Sequence, residues 1–224
     1  MRLRLFLDSA DPEQWQRWLP LGLFHGVTTN PTLLRRAGQP CTIAGMALLS
    51  ERALALGCRE VHLQTWGSSA EMLQRRGLEL AALAPGKVVV KVPISEAGSQ
   101  AARALIEAGA SVTFTACYEV PQVLVAAALH AAYIAPYLGR ISDLGRDGEA
   151  ELIAMQRCLS GIGSSTRLLV ASLREAGELG RLAAAGLDTF TISPAIAAGL
   201  FASTATAAAA AAFEVDAAAA AAAD

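Results

Sequence analysis

The sequence predicts a (β/α)₈ TIM barrel, an α/β fold, with an additional helix at its C-terminal end. Short apolar or β-branched runs alternate with longer helical stretches, and this alternation occurs eight times in 224 residues. No linker rich in proline, glycine or serine divides the chain, so we expect one domain, with the barrel over about residues 1–200 and the helix over residues 201–224. An open, doubly wound sheet is the alternative, but no G-x-G-x-x-G motif follows the first strand.

The eight predicted strands are short runs of apolar and β-branched residues. In chain order they are LRLFL (3–7), VTT (27–29), EVHLQT (60–65), VVVKV (88–92), SVTF (111–114), YIAP (133–136), LLVA (168–171) and TFTI (189–192). The longer segments between them are predicted helices, for example residues 42–56, 100–108, 121–131 and 147–159. In a parallel barrel the active site lies at the C-terminal ends of the strands, so the polar residues at those ends are the candidates for function.

The composition indicates a small-molecule ligand and a cytoplasmic location. A net charge of −2 is too close to neutral to suggest a nucleic-acid or membrane-surface partner. The four cysteines are scattered, without a C-x-x-C pair or a neighbouring histidine cluster, so we interpret them as reduced packing residues and expect no metal site. The N-terminal residues reach Asp8 too early for the apolar core of a signal peptide.

The C-terminal region is alanine-rich. Residues 195–213 carry no charge over a length that could span a bilayer, but they are mostly alanine with serine and threonine, so we expect a helix packed on its neighbours. Residues 217–223 favour a helix by propensity alone.

Lys91 is the first candidate for chemistry. The chain has only two lysines against sixteen arginines, and Lys91 lies inside the apolar run of the fourth strand. Arginine stays protonated, whereas a lysine buried among valines can lose its proton and form a Schiff base with a carbonyl substrate. The alternative is a lysine at a strand end that extends its amine into solvent.

Nearly every predicted strand ends on a functional group. Taken singly, these residues have structural explanations, since Asp8 and Ser193 could cap helices, Asn30 could begin a turn and Tyr137 could lie in the core. Their coincidence at one rim around Lys91 predicts a site instead. The candidates are Asp8, Thr28, Thr29, Asn30, Gln64, Lys91, Thr115, Tyr137, Arg140, Ser172, Arg174 and Ser193.

Alternation along the third strand predicts where its side chains point. If Gln64 faces the barrel interior, His62 lies one layer beneath it, while Val61, Leu63 and Thr65 face the helices. We interpret His62 as a neutral, hydrogen-bonded interior residue, with a proton shuttle as the alternative.

Five segments carry a resemblance to a known family. LFLDS (5–9), GVTTNP (26–31), VVKVP (89–93), APYLGR (135–140) and ASLR (171–174) occur in order, each at a predicted strand end. Together they resemble the transaldolase family, and closely its small branch similar to fructose-6-phosphate aldolase. The resemblance runs from about residue 3 to residue 200.

The resemblance implies roles for the strand-end residues. The lysine matching Lys91 attacks the C2 carbonyl of a ketose, and the imine accepts electrons when the C3–C4 bond breaks, with no metal or cofactor. The residues matching Asp8 and Asn30 hold hydroxyls of the dihydroxyacetone unit. Those matching Arg140, Ser172 and Arg174 hold the sugar phosphate, for which arginine geometry is well suited. Thr28, in the T-T-N-P segment, is a further candidate for substrate binding.

The choice between aldolase and transferase rests on the acid–base group. The larger transaldolases carry a glutamate at the position matching Gln64 and a phenylalanine at the position matching Tyr137. Gln64 cannot exchange a proton at neutral pH, so Tyr137, through a water held by Gln64 and Thr115, is the candidate acid and base. This pairing resembles the fructose-6-phosphate aldolases.

Three other functions stay open. A transaldolase would pass the three-carbon unit to a sugar-phosphate acceptor, and a non-catalytic barrel would bind sugar phosphates only. A deoxyribose-phosphate aldolase would be expected to have a second lysine nearby, whereas Lys87 lies before the strand, at the opposite rim. The family resemblance also implies a ring-shaped homo-oligomer in which the C-terminal helix packs on a neighbouring subunit.

Overall fold

The computed structural model describes residues 3–221, and eight parallel strands in this part of the chain form one barrel. They are β1 (Arg4–Asp8), β2 (Gly26–Thr28), β3 (Glu60–Gln64), β4 (Val88–Pro93), β5 (Ser111–Cys117), β6 (Tyr133–Pro136), β7 (Arg167–Leu168) and β8 (Thr189–Ile192). The strand order is β7-β6-β5-β4-β3-β2-β1-β8. Val170 closes the barrel beside β8, because its N–H donates to Thr189 O at 2.9 Å and its carbonyl oxygen accepts from Thr191 N at 2.8 Å. The predicted barrel is confirmed.

Helices follow the strands and, except for the last helix, pack on the outside of the barrel. They are α1 (Pro12–Trp18), α2 (Pro31–Arg36), α3 (Ile43–Ala55), α4 (Ala70–Ala82), α5 (Glu96–Glu107), α6 (Gln122–Ala128), α7 (Leu138–Asp143), α8 (Gly148–Gly161), α9 (Ala176–Ala184), α10 (Pro194–Gly199) and α11 (Thr204–Ala221), with a 3₁₀ turn at Leu19–Leu21. Several begin at a serine, threonine or asparagine whose side chain accepts a backbone N–H of the first turn. These caps fix where the chain leaves each strand end.

Among the boundaries that differ from the prediction, three have clear local reasons. The helix expected from residue 100 begins at Glu96, because Ser95 caps it by accepting the N–H of Gly98 at 3.1 Å. β5 continues to Cys117 through an irregularity at which Ala116 has a φ of 59°. The seventh strand is shorter than expected, and beyond Leu168 the chain pairs only through isolated bridges before Ser172 turns it with a φ of 62°.

The interior of the barrel is a small cluster, separate from the larger core between strands and helices. It consists of Phe6, Val89, Tyr133, Ala135 and Leu169. His62 lies among them and is fully buried, with its ring centroid 4.7 Å from that of Phe6. Val61 and Leu63 belong to the outer core, and Thr65 donates to Leu73 O of α4 at 2.9 Å. The predicted parity of β3 is therefore confirmed.

Glu60 organises the polar layer beneath this cluster. Its carboxylate accepts from Arg4 Nη1 at 3.0 Å and from the Tyr133 hydroxyl at 2.6 Å, and it lies 3.2 Å from ring nitrogens of both His25 and His62. Burial alone would raise the pKa of Glu60, but the contacts from His25, His62 and Tyr133 together bring that pKa far below its ordinary value.

His62 is held as a neutral ring between two partners. Because Glu60 can only accept, His62 Nε2 carries the hydrogen, and Nδ1 accepts from Thr113 Oγ1 at 3.0 Å. Burial lowers the pKa of His62, against the opposing effect of Glu60. The interpretation of His62 as a neutral, hydrogen-bonded interior residue agrees with this geometry.

The uncharged stretch near the C-terminus forms two helices. α10 buries Ile196 and Ala197, whereas every residue of α11 is exposed, including Phe213 and Val215 at 69% and 68%. Residues 222–223 of the predicted tail lie outside the described residues. Within the described chain there is no helix with the length and apolar content needed to cross a bilayer.

Candidate active site

A pocket opens at the C-terminal ends of the strands, where the sequence places the site. Six of the predicted residues line it: Asp8, Asn30, Lys91, Tyr137, Arg140 and Ser172. The remaining lining residues, which the strand-end argument did not identify, are Thr32, Leu33, Arg36, Ala135, Leu169, Ala171 and Thr191. Residues from six strands or the segments that follow them therefore converge on one cavity.

Lys91 lies at the floor of this pocket on β4. Its neighbours Val90 and Val92 face the outer core, so alternation turns the lysine inward, beside Gln64 of β3 and Thr113 of β5. The side chain is 5% exposed, and Nζ donates to the Thr29 carbonyl oxygen at 2.8 Å. Burial lowers the pKa of Lys91, while the charge of Asp8 opposes this shift. The amine is therefore available in its neutral, nucleophilic form at lower pH than an exposed lysine.

Asp8 is oriented by two threonines. Thr28 Oγ1 donates to Asp8 Oδ1 at 2.6 Å and lies 2.5 Å from Thr191 Oγ1. Because the one hydroxyl hydrogen of Thr28 goes to the carboxylate, Thr191 must donate to Thr28. Thr28 thus supports Asp8 from beneath and is not itself part of the pocket lining.

Tyr137 and Thr115 form a hydroxyl pair at the ends of β6 and β5. Their oxygens lie 2.6 Å apart, and the guanidinium of Arg140 lies 4.8 Å from the centroid of the Tyr137 ring. Gln64 is partly exposed beside Lys91 but does not line the pocket. Thr115 therefore contacts the Tyr137 hydroxyl directly, while Gln64 lies two strands away on β3. The water predicted between Gln64 and Thr115 stays a prediction.

Asn30 has one end of its carboxamide committed to the fold. Its Oδ1 caps α2 by accepting the Leu33 N–H at 2.9 Å, so Nδ2 is the group left to donate to a ligand. Ser193 is a helix cap, the structural alternative given for it above, because its hydroxyl accepts the Ile196 N–H of α10 at 3.3 Å.

The basic residues divide between the pocket and the surface. Arg140 lines the pocket, and Arg174 instead pairs with Asp143 on the exposed side of α7. The backbone of Gly139 makes this arrangement possible, because a Cβ there would lie 2.3 Å from Arg174 Nε and 2.5 Å from Ser172 O. In this conformation Arg174 is not a pocket residue, and its proposed contact with phosphate requires it to leave Asp143.

Sequence reasoning stopped at the strand ends and therefore missed three polar lining residues, Thr32 and Arg36 of α2 and Thr191 of β8. Thr191 sits within β8, and Arg36 lies one turn along α2 from Leu33. Alternation along the eighth strand could have indicated that Thr191 faces the barrel interior. Helical spacing after the Asn30 cap could have placed Arg36 on the same face of α2 as Leu33. Within residues 3–221, no three His, Cys, Asp or Glu side chains are grouped closely enough to share a metal ion.

A closed parallel barrel with a buried lysine at its C-terminal rim, beside a carboxylate and a hydroxyl pair, has the organisation of a Schiff-base-forming enzyme of the class I aldolase type. Residues 5–224 match the family described as Transaldolase/Fructose-6-phosphate aldolase. The chain belongs to this family, whose substrates are sugar phosphates.

Similar proteins agree with this assignment. A probable transaldolase from Caulobacter sp. (strain K31) is 33% identical over 199 residues, which cover 89% of each chain. Probable transaldolase 2 from Listeria monocytogenes is 33% identical over 85% of this chain and 84% of its own. Thiamine phosphate pyrophosphorylase from Pyrococcus furiosus matches with a TM-score of 0.59 and 11% identity over 85% of each chain, a likeness of fold alone.

Proposed function

We propose that this protein is a class I aldolase that cleaves fructose 6-phosphate to dihydroxyacetone and glyceraldehyde 3-phosphate, and forms it in the reverse direction. The hydroxyl pair of Tyr137 and Thr115, 2.6 Å apart beside the Lys91 pocket, carries the proposal. Gln64, on the strand next to Lys91, has no proton to exchange at neutral pH, so the phenol is the group that supports acid–base work.

The reaction begins with the amine of Lys91. Its neutral Nζ attacks the C2 carbonyl of the ketose, and loss of one water from the resulting carbinolamine gives a protonated imine. Asp8 and Asn30 receive the hydroxyls of the three-carbon unit, with the carboxylate accepting and Nδ2 of Asn30 donating. Arg140 and Ser172 receive the phosphate at the other end, joined by Arg174 if it leaves Asp143.

Bond cleavage follows from the charge on the imine. The Tyr137 phenolate, hydrogen-bonded to Thr115, takes the proton of the C4 hydroxyl through a bridging water, the C3–C4 bond breaks, and its electron pair moves toward the imine nitrogen to form an enamine. Tyr137 keeps this proton and later returns it to the enamine at C3. Glyceraldehyde 3-phosphate leaves. The enamine then takes a proton at C3, and water hydrolyses the imine to release dihydroxyacetone and free Lys91.

Release of glyceraldehyde 3-phosphate from fructose 6-phosphate alone tests this function, counted in equivalents per subunit. Continuous turnover without an acceptor sugar is the expected result. A burst of about one equivalent that resumes only after erythrose 4-phosphate is added would instead identify a transaldolase. No release under either condition would contradict both functions.

Transaldolase activity is the second candidate, because the relatives at 32–33% identity are named probable transaldolases. It uses the same lysine and the same imine, but water must react poorly with the intermediate until an acceptor arrives. A non-catalytic sugar-phosphate-binding barrel is a weaker alternative, in which Lys91→Arg would leave ligand binding largely intact.

Replacing Tyr137 with phenylalanine is expected to lower kcat by about 10²–10⁴-fold, the range for loss of a general acid and base. Imine formation at Lys91 should persist, so borohydride should still trap the ketose on the protein. Tyr118→Phe is the comparison variant, because its ring lies 5.7 Å from that of Tyr137 but its hydroxyl contacts Arg140 at 3.4 Å and not Thr115. This variant should change KM for the phosphate substrate and leave kcat close to the wild-type value. An unchanged kcat in Tyr137→Phe would place the proton transfer elsewhere.

We also propose that α11 packs on a neighbouring subunit in a ring-shaped homo-oligomer. Phe213 and Val215 are exposed in the isolated chain, and burying them in a neighbour would remove apolar surface from water. The double substitution Phe213→Glu and Val215→Glu is expected to give monomers in light scattering. Ile162→Glu, at an apolar site 54% exposed after α8, should leave the assembly intact. An unchanged mass in the double variant would contradict this role.

Sugar-phosphate substrates also support a location in the cytoplasm and a place in carbohydrate metabolism connected with the pentose phosphate pathway.

A further inference from the structure

We propose that Arg36 forms a second anion subsite, on the side of the pocket away from Arg140, for a ketose that carries an acidic group at both ends. The ligand class is a ketose phosphate with a further phosphate or carboxylate on the carbon next to its carbonyl. This inference rests on the proposed function, because it assumes that the carbonyl carbon is attached to Lys91 and the distal phosphate is held at Arg140.

Arg36 enters the pocket through the spacing of α2. The helix begins after the Asn30 cap, and Leu33 and Arg36, three residues apart, share one face. Both residues line the pocket, whereas the neighbouring Arg35 does not. The orientation of Arg36 toward the site is thus set by the same cap that positions Asn30.

The charge of Arg36 has no acidic partner among residues 3–221. Ion pairs satisfy Arg4, Arg103, Arg146, Arg167, Arg174 and Arg181. Among the described residues, no carboxylate lies within ion-pair distance of Arg36 or Arg140, and Arg140 contacts only the hydroxyl of Tyr118 and the ring of Tyr137. Within the described part of the chain, the pocket therefore holds two guanidinium groups without acidic partners, and Asp8 is the one carboxylate that lines it.

Strand order places these two arginines on opposite sides. β2, which leads into Arg36, and β6, which leads into Arg140, are four strands apart in the eight-stranded barrel, and β4 with Lys91 lies midway. A ketose joined to Lys91 through its carbonyl carbon, with its phosphate at Arg140, directs its other end toward β1 and β2. Fructose 6-phosphate has a neutral hydroxymethyl group at that end, which leaves Arg36 without a partner.

A groove behind Arg36 provides room for such a group. Arg36 borders both the pocket and a second depression between α1, α2 and α10, lined in part by Ser9, Gln14 and Ser193. Asp11 also lines this depression and keeps its negative charge while its Oδ1 accepts the Glu13 N–H at 2.9 Å, so the second acid is expected to bind on the Arg36 side, away from Asp11. A carboxylate or a phosphate presents two oxygens that can each accept one N–H from the same guanidinium group, which gives a bidentate contact.

The test compares three six-carbon ketoses that share the distal phosphate and all release glyceraldehyde 3-phosphate. Fructose 6-phosphate has no second acid, fructose 1,6-bisphosphate has a phosphate at C1, and 2-keto-3-deoxy-6-phosphogluconate has a C1 carboxylate. In Arg36→Gln, KM for a two-acid ketose divided by KM for fructose 6-phosphate is expected to rise at least about tenfold, the loss expected for a charge-assisted hydrogen bond. Whether the bisphosphate or the keto acid shows this rise identifies phosphate or carboxylate as the ligand.

Arg35→Gln is the control, since it removes the same charge from the same helix outside the pocket, and it should leave the ratio unchanged. An unchanged ratio in Arg36→Gln, or equal changes in KM for all three ketoses, would overturn the second subsite. Equal changes would mean that Arg36 and Arg140 hold one phosphate between them. Rejection of both two-acid ketoses by the wild-type enzyme would overturn it too.

Trapping with borohydride separates this inference from the proposed function. Mass measurement of the intact protein reports the ketose reduced onto Lys91, even without turnover. Trapping of a two-acid ketose that depends on Arg36, without cleavage of fructose 6-phosphate, would retain the subsite and reject the aldolase. Cleavage of fructose 6-phosphate with no effect of Arg36 on any ketose would do the reverse.

Discussion

Lys91→Met is expected to abolish trapping of any ketose on the protein and to lower kcat/KM by at least about 10⁴-fold, because among residues 3–221 no other amine lines the pocket. Methionine has similar length and no charge, so it fits the same space on β4. Lys87→Met is the matched control, since this exposed lysine precedes β4 at the opposite end of the strand. Residual trapping in Lys91→Met at the wild-type level would place the nucleophile elsewhere.

The same substitution should raise the free energy of unfolding. Burial lowers the pKa of Lys91 in the folded protein, so the unfolded chain binds this proton more tightly at pH 7. The free energy of unfolding is reduced as a result. This reduction diminishes as pH rises toward the ordinary lysine pKa of 10.5. We expect Lys91→Met to gain about 1 kcal/mol near neutral pH, or about 2–4 °C in Tm, measured by calorimetry. A loss of stability would contradict this account of the buried amine.

The lowered pKa also fixes the direction of the pH profile. Imine formation requires the neutral amine, so kcat/KM should rise with pH and level off below 10.5, where an exposed lysine would still be mostly protonated. If kcat/KM instead rises with the ordinary lysine pKa, the amine of Lys91 is solvated in the free enzyme and this account is wrong.

Glu60→Ala is expected to destabilise the protein by about 3–5 kcal/mol, because it leaves buried donors without their acceptor. The Tyr133 hydroxyl and His62 Nε2 lie in a barrel interior that water does not reach, with relative exposures of 2% and 0%. We expect a fall in Tm of about 10 °C and a matching fall in the urea midpoint.

Glu107→Ala is the control for Glu60, because Glu107 also pairs with an arginine, Arg103, but on the surface of α5. Exposed pairs of this kind contribute about 0.5 kcal/mol or less. If Glu60→Ala and Glu107→Ala reduce the free energy of unfolding by the same amount, the Glu60 network does not stabilise the barrel.

Acid should weaken the wild-type protein through the same network. The pKa of His62 is lowered by burial, so the unfolded state takes up a proton first as pH falls below about 6.5, and unfolding becomes easier. The pKa of Glu60 is also lowered despite burial, and its stabilising effect, present above about pH 4.3, is lost as pH falls toward its folded pKa. Stability should therefore decrease steadily from pH 7 to pH 3, and Glu60→Ala should lack the part of this decrease that falls below about pH 4.3.

Much of the site was predictable because it depends on local periodicity. Alternation places Lys91 inside an otherwise valine strand and His62 beneath Gln64, and both placements agree with the burial of these side chains. The strand-end rule found Asp8 and Tyr137 for the same reason, since a residue at the end of a parallel strand reaches the rim whichever strand it follows.

Other features depend on contacts between distant parts of the chain. The hydroxyls of Thr28 and Thr191 meet across 163 residues, and no local pattern pairs them. The sequence around Arg174 predicts a phosphate ligand, but this side chain pairs with Asp143. That conformation passes so close to Gly139 that a Cβ at this position would not fit. Sequence reasoning followed the strands and omitted the helices, so Arg36 was missed.

The sequence by itself determined the eightfold βα order, the buried nucleophile candidate Lys91 and the polar rim around it, because periods of two and 3.6 residues assign side chains to faces without knowledge of their partners. Only the tertiary structure decided which rim residues share the pocket, that Thr115 meets Tyr137, that Arg174 turns away and that Arg36 turns in. Those outcomes depend on barrel closure and on rotamers, which bring together residues that are far apart in the chain.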